Sequence, residues 1–127
     1  MINNITPLIA GSLFGGLAII FGAFGAHALK KYMKSDSLTS FETGVKYQMY
    51  HAILLVAMAF MPKADQLAHA ANIIIIGTIL FSFSIYGLTL SSTFGKKIKI
   101  LGPITPIGGL CLTIGWFIIF FYFSFIH

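Results

Sequence analysis

Four long stretches without a charged side chain dominate the pattern of hydrophobic and polar positions. They cover residues 1 to 29, 47 to 62, 66 to 95 and 100 to 127. Three of them exceed the ~20 residues that a helix needs to cross a ~30 Å hydrocarbon core. The second is shorter, but a helix over 40–61 is long enough if the Lys46 side chain extends to the headgroups. The pattern predicts an all-α, polytopic membrane protein.

We expect one domain, 1–127, built as a bundle of four transmembrane helices at about 5–29, 40–61, 66–93 and 105–126. The composition agrees, since 57% of residues are hydrophobic and only 9% are charged, whereas about a quarter are charged in soluble proteins. The mean hydropathy of +0.93 indicates the same environment. The lipid bilayer is therefore the expected partner.

The formal net charge of +5 comes from lysines that are unevenly placed. The first and third connections between the predicted helices hold Lys30, Lys31, Lys34, Lys46, Lys96, Lys97 and Lys99, whereas the second holds Lys63 alone. By the positive-inside rule, the first and third connections face the cytoplasm, so both termini lie outside a multi-pass plasma-membrane protein. No basic stripe is interleaved with exposed aromatic side chains, so we expect no nucleic acid partner.

Local signals give the expected helix starts. The spacing of Thr39 and Glu42 is that of a capping box, which predicts that the second helix begins there. In the fourth helix, Thr105 is the predicted N-cap and Pro106 the predicted first helical residue. Residues 102–106 are then expected to form an irregular strip at the cytoplasmic boundary.

A row of small residues marks one face of the first helix. Its members recur at steps of four and three, and they are Gly11, Gly15, Ala18, Gly22 and Gly25. Such a stripe lets helix backbones approach closely in a membrane. His27 projects about 140° away from Gly22, so it cannot face the same neighbour as the stripe. The stripe packs either on another helix of the chain, or on a second copy or a partner membrane protein.

Polar side chains from several helices are expected to converge in the cytoplasmic third of the bilayer. The candidate binding cluster consists of His27, Tyr47, Gln48, His51, Ser82, Tyr86 and Thr105. Polar groups are costly in hydrocarbon unless they are paired or wetted, so these side chains should face one another. The sequence therefore predicts an inward-facing polar pocket.

Four blocks of the sequence together resemble a known family. They are GAFGAHALKKY at 22–32, YQMYHA at 47–52, FSFSIY at 81–86 and LGPITPIGG at 101–109. In this order they resemble the family called domain of unknown function 423, or uncharacterised protein family 0382. The resemblance implies a four-span inner-membrane protein and assigns no activity. His27 and His51 fall within two of the blocks.

Three hypotheses for the function remain open. The favoured one is binding of a small polar molecule or a lipid headgroup in the cytoplasmic-side pocket. The second is an accessory or scaffold subunit that docks through the glycine stripe, and the third is a membrane enzyme with the histidines as acid and base. We favour a non-enzymatic role and assign no catalytic residue and no cofactor. The cluster has two histidines with one carboxylate near it, fewer ligands than zinc takes in most proteins, so no metal is assigned.

Overall fold

The computed structural model describes residues 1–126 and consists of helices joined by short connections. The four main helices are α1 (Ile5–His27), α2 (Ser35–Met58), α3 (Asp65–Phe94) and α4 (Leu101–Phe121). A 3₁₀ turn, Leu29–Lys31, lies between α1 and α2. One π-helical turn, Ile79–Phe83, interrupts α3, and another, Tyr122–Ile126, continues α4. The predicted domain also includes His127, which lies outside the described residues.

Three helical stretches are long and apolar enough to cross a membrane. They are Ile5–Lys31, Asp65–Phe94 and Leu101–Phe125. The helix α2 is not among them, and its first half carries Asp36, Glu42 and Lys46. The described chain is thus all-helical, with four helices of which three have the length and composition of membrane spans.

The helices α1 and α2 form an antiparallel pair along the small-residue stripe. A Cβ atom on Gly11 would lie 2.7 Å from the carbonyl oxygen of Ala52, and one on Gly25 would lie 3.0 Å from the Phe41 ring. Gly15 and Gly22 also face α2, at the ordinary contact distances of 3.7 and 3.4 Å, while Ala18 is buried. The stripe therefore packs within the chain, on α2.

Hydrogen bonds from the N-terminal residues connect the start of α1 to the end of α2. The Asn3 backbone N–H donates to the carbonyl of Ala59 at 2.8 Å, and its side-chain amide donates to the carbonyl of Met61 at 2.8 Å. Asn4 caps α1 by accepting from the Thr6 N–H at 3.2 Å. These bonds hold the start of α1 level with the end of α2.

The helices α3 and α4 approach each other closely at three glycines. Gly108 lies against the backbone of Leu80 and Phe81 in the π turn, where a Cβ atom would overlap main-chain atoms. A Cβ atom on Gly77 would lie 2.9 Å from Cβ of Cys111, and Gly115 faces the Ile74 side chain. Sequence analysis had singled out only the glycines of α1. The α3–α4 contact depends on backbone proximity as much as the α1–α2 contact does.

The predicted start of α2 is wrong, because the helix begins at Ser35 rather than near residue 40. Thr39 lies inside the helix, where its hydroxyl donates to the Ser35 carbonyl at 3.0 Å, and Glu42 is exposed. The helix starts after the extended residue Lys34, with Asp36 in its first turn. A carboxylate there is favoured by the helix dipole.

The predicted start of α4 is also wrong. The helix begins at Leu101, so residues 102–106 are helical rather than irregular and Thr105 is not a cap. Pro103 lies in the first turn, where the missing N–H has no intrahelical acceptor in any case. Pro106 lies inside the helix, and it has no N–H to offer the Gly102 carbonyl four residues earlier.

Together the helices leave a groove on one side of α3. The helix α1 packs on α2 and reaches α3 through aromatic rings, with the Phe14 and Phe83 centroids 6.4 Å apart and those of Phe21 and Tyr86 5.2 Å apart. The helix α4 packs mainly on α3. At the end that carries the two lysine-bearing connections, α2 and α4 therefore form the walls of a groove whose floor is α3.

Candidate functional site

A buried hydrogen-bond network joins α1, α2 and α3 at the middle of the molecule. The Gln48 amide donates to the Phe14 carbonyl at 2.8 Å and accepts from the Tyr86 hydroxyl at 2.7 Å. The Ser82 hydroxyl donates to the Gly44 carbonyl at 2.7 Å. Gln48 and Ser82 are completely buried. The structure thus brings together three residues of the predicted cluster: Gln48, Ser82 and Tyr86.

This network lies deeper than predicted. Phe14 is near the middle of α1, which runs from Ile5 to His27. Its partner Gln48 is therefore at mid-height and not in the third of the molecule near the lysines. Gln48 lies deeper than expected because α2 starts earlier than predicted, and each added residue lengthens the helix by about 1.5 Å.

His51 makes a second link at this level, between α2 and α4. Its Nε2 atom accepts from the Trp116 indole at 3.0 Å, and its Nδ1 atom lies 2.6 Å from the Tyr47 carbonyl oxygen. An indole N–H can only donate and a carbonyl can only accept, so the ring carries its proton on Nδ1. Both ring nitrogens of this buried, neutral histidine are occupied. Tyr47 stacks on the ring at a centroid distance of 6.3 Å.

The structure does not bring His27 and His51 together. His27 is exposed in the last turn of α1. Gly15 lies opposite Ala52, so His51 is close to the level of Gly15, twelve residues away from His27. That spacing corresponds to about 18 Å along the helix axis. The predicted pocket containing both rings is therefore not present.

The buried polar side chains in the described part of the chain have partners. Among residues 1–126, no buried side-chain nitrogen or oxygen lacks a hydrogen bond. An unpaired buried group would cost about 1–3 kcal/mol, so this pairing stabilises the helix arrangement. The mid-height network is accounted for as packing between helices.

A cleft with different properties lies in the groove between α2 and α4, at the lysine-bearing end. Its volume is about 520 Å³. The lining consists of Asp36, Ser37, Ser40 and Thr43 from α2, Ile85, Leu88, Thr89 and Ser92 from α3, Lys97 from the last connection, and Gly102, Thr105 and Pro106 from α4. We call it the hydroxyl cleft. Of the predicted cluster, only Thr105 lines it.

Half of the six hydroxyl groups in this cleft are used by the fold. Thr43 and Thr89 donate to carbonyls of their own helices at 3.0 and 2.8 Å. Thr105 shares a 2.6 Å hydrogen bond with Ser84, which joins α4 to α3. The other three hydroxyls, on Ser37, Ser40 and Ser92, have no hydrogen-bond partner in the described part of the chain. They are available to a ligand.

The cleft also has a carboxylate and an ammonium group. Asp36 and Lys97 are both exposed, and neither forms an ion pair with another residue of the range 1–126. Asp36 and Thr43 lie about seven helical steps apart, which gives the cleft a depth of about 10 Å from the helix ends.

The lining residues Asp36, Ser37, Ser40, Ser92 and Lys97 were missed by sequence analysis. Ser37 was assigned to a connection, and Ser40 to the first residue of the helix, because the capping box placed the start of α2 too late. Had the helix been started at Ser35, the steps of three between Ser37, Ser40 and Thr43 would have indicated one polar face.

A smaller cavity of about 360 Å³ lies at the opposite end, where α1 and α3 begin and α2 ends. Asn3 and Asn4 line it, but the bonds described above already use their side chains. Within residues 1–126, no group of three or more His, Cys, Asp or Glu side chains could hold a metal ion. The hydroxyl cleft is therefore the better candidate for a binding site.

Comparison with known proteins gives a consistent set of relatives. A family model described as "Protein of unknown function (DUF423)" matches residues 21–109. The UPF0382 membrane protein YwdK of Bacillus subtilis is 38% identical over 118 residues, which covers 88% of this chain and 90% of the relative. UPF0382 membrane proteins of Schizosaccharomyces pombe and Haemophilus influenzae are 37% and 35% identical, over 83% and 91% of this chain and 90% of each relative.

No solved structure matches the chain. The family match covers more than half of the sequence, and it includes the α2, α3 and early α4 residues that form the hydroxyl cleft. The resemblance of the four sequence blocks is thereby confirmed. The chain belongs to the DUF423 family of membrane proteins.

Proposed function

We propose that this membrane protein binds the polar headgroup of a lipid, or another small polar molecule, in the hydroxyl cleft. The observation that carries the proposal is the set of unused polar groups there, in contrast to the fully paired groups at mid-height. Pockets that bind small ligands combine apolar walls with a few convergent polar groups. Ile85, Leu88 and Pro106 supply apolar walls beside the hydroxyls.

We further propose that all four helices cross the membrane. The pairing of Gly11 with Ala52 at one end and of Gly25 with Phe41 at the other supports this, because α2 accompanies α1 over its whole length. Lys46 is exposed, and its long side chain can reach the headgroups. The helix α2 then spans whatever thickness α1 spans.

The lysines support an orientation with the hydroxyl cleft on the cytoplasmic side of the plasma membrane and both termini outside. In that orientation the mouth of the cleft, at Asp36 and Lys97, lies at the level of the headgroups. Its inner end lies at the start of the hydrocarbon. A lipid can then reach the cleft from the side, between α2 and α4.

The two other hypotheses have less support. A scaffold that docks through the glycine stripe would have to displace α2, which covers that face. An enzyme with the histidines as acid and base would need His27 and His51 in one site, and they lie about 18 Å apart along the helices.

The binding proposal can be tested by filling the cleft. Purified protein is examined by native mass spectrometry for retained adducts, whose masses distinguish a lipid from a small polar molecule. We expect the wild-type protein to retain an adduct and the double variant Ser40→Leu/Thr43→Leu to lose it. Ser12→Leu is the matched control, since Ser12 is exposed on α1. Equal retention by the filled variant would contradict the proposal.

The topology can be tested by cysteine labelling in a Cys111→Ala background. A membrane-impermeant maleimide should label Lys63→Cys on intact cells and Lys99→Cys only after permeabilisation. Labelling of Lys99→Cys on intact cells would overturn the orientation.

A further inference from the structure

We infer that the ligand of the hydroxyl cleft carries both a phosphate and a primary ammonium group, as a phosphoethanolamine headgroup does. This inference rests on the proposed function and specifies the chemistry of the same site. It follows from the opposed charges of Asp36 and Lys97 in the cleft lining.

The charges of the lining are balanced, although the surrounding end of the protein is basic. Asp36 is in the first turn of α2, whereas Lys97 is in the connection that precedes α4. A purely anionic headgroup would find Lys97 but would place its negative charge near the Asp36 carboxylate. A headgroup with both charges can satisfy both side chains.

The hydrogen-bond acceptors of the lining favour a primary ammonium over a quaternary one. A primary ammonium has three N–H donors. The cleft has acceptors for them in the Asp36 carboxylate and the hydroxyl oxygens. A trimethylated ammonium has no N–H and would leave these acceptors unpaired. The Lys97 ammonium and the hydroxyls of Ser40 and Ser92 are donors for a phosphate.

The size of the cleft suits a headgroup. Its volume of about 520 Å³ lies within the range of about 300–1,000 Å³ that is typical of small-molecule sites. A depth of about 10 Å accommodates a headgroup and part of the glycerol, while the acyl chains remain in the bilayer.

The test compares three phospholipids with identical acyl chains: phosphatidylethanolamine, phosphatidylcholine and phosphatidylglycerol. The full-length protein is exchanged into nanodiscs that contain each of the three lipids in turn. The lipid that stays bound to the protein after mild release from the nanodisc is measured by native mass spectrometry. We expect retention of phosphatidylethanolamine over phosphatidylcholine by about fivefold, which corresponds to the gain from about one hydrogen bond that a trimethylated ammonium cannot donate.

Two substitutions test the contributions of the Asp36 and Lys97 charges one at a time. Asp36→Asn should reduce the preference for phosphatidylethanolamine over phosphatidylcholine. It removes a charge that attracts both headgroups, but it also weakens the hydrogen bond that only the primary ammonium donates. Lys97→Met should lower retention of phosphatidylethanolamine and phosphatidylcholine by the same factor. Lys99→Met, outside the cleft lining, is the control and should change neither. Soluble phosphoethanolamine that displaces the lipid, where phosphocholine does not, would support the same chemistry and identify a free molecule as the ligand.

The outcomes distinguish this inference from the proposed function. Equal retention of phosphatidylethanolamine and phosphatidylcholine, or a preference for phosphatidylglycerol, would overturn the headgroup class while the cleft-filling variant still loses its adduct. If filling the cleft changes no adduct, the proposed function and this inference fall together.

Discussion

The mid-height network and the hydroxyl cleft are both polar, but they differ in how their polar groups are used. At mid-height, Gln48 bonds to α1 and to α3, and both nitrogens of His51 are occupied. In the cleft, Ser37, Ser40 and Ser92 have hydroxyls without partners in the described chain. The difference indicates that the polar groups of the first region hold the helices in register, while those three hydroxyls of the second take no part in holding the fold.

The depth of each region explains why the difference is tolerated. An unpaired polar group in the interior costs about 1–3 kcal/mol, so the mid-height groups must be paired by the fold itself. The cleft opens at the helix ends, where water can satisfy a hydroxyl until a ligand replaces it. Unpaired polar side chains are therefore tolerated near the helix ends and not at mid-height.

The largest expected effect comes from Gly108→Ala, which tests the α3–α4 contact on which both regions depend. The added Cβ would overlap the backbone of Leu80 and Phe81, and these atoms cannot rotate away. We expect a loss of about 3 kcal/mol in the free energy of unfolding, measured by circular dichroism in detergent.

The neighbouring substitution Gly109→Ala is the control. Its Cβ would lie 3.6 Å from the Phe81 ring, an ordinary contact, so stability should be unchanged or slightly raised. Equal effects at the two glycines would show that the backbone contact at Gly108 is not needed.

A double-mutant cycle on Gln48 and Tyr86 tests whether the mid-height groups are paired for stability. Gln48→Leu leaves the Tyr86 hydroxyl without its acceptor and should cost about 1–3 kcal/mol. Adding Tyr86→Phe removes that unpaired group, so the double variant should be no less stable than Gln48→Leu alone. Additive losses would mean that the two side chains are not coupled.

A smaller effect is expected for Trp116→Phe, which removes the hydrogen bond from α4 to His51. Interhelical bonds of this kind average about 0.6 kcal/mol in a membrane protein. Thermal unfolding should show a modest loss, whereas Phe117→Leu, at the exposed neighbouring residue, should show none. An unchanged Trp116→Phe variant would indicate that the indole contributes nothing to α2–α4 contact.

The fold could be predicted from the sequence further than the site could. The uncharged stretches gave the number of helices, and α3 was placed within one residue at each end, since Asp65 and Gly95 mark both limits. The starts of α2 and α4 were misplaced, because a capping box or a Thr-Pro pair is compatible with a helix interior as well as with a helix start.

Those errors then propagated to the site. The helix α2 starts five residues earlier than predicted. Each of its side chains therefore lies about 7 Å further from the start of the helix than expected. This is enough to move Gln48 from the expected boundary to mid-height and to separate His51 from His27. The unpaired hydroxyls could not be predicted, because their availability depends on which carbonyls the neighbouring helices present.

The hydroxyl groups of the cleft allow the most direct test of the account. The triple variant Ser37→Ala/Ser40→Ala/Ser92→Ala should unfold within about 0.5 kcal/mol of the wild-type protein, yet retain much less adduct in native mass spectrometry. Ser12→Ala, whose hydroxyl bonds to its own helix at 2.7 Å, should match the wild-type protein in both measurements. A triple variant that holds its adduct as the wild-type protein does, or that unfolds as easily as Gln48→Leu, would contradict the assignment of the cleft to binding.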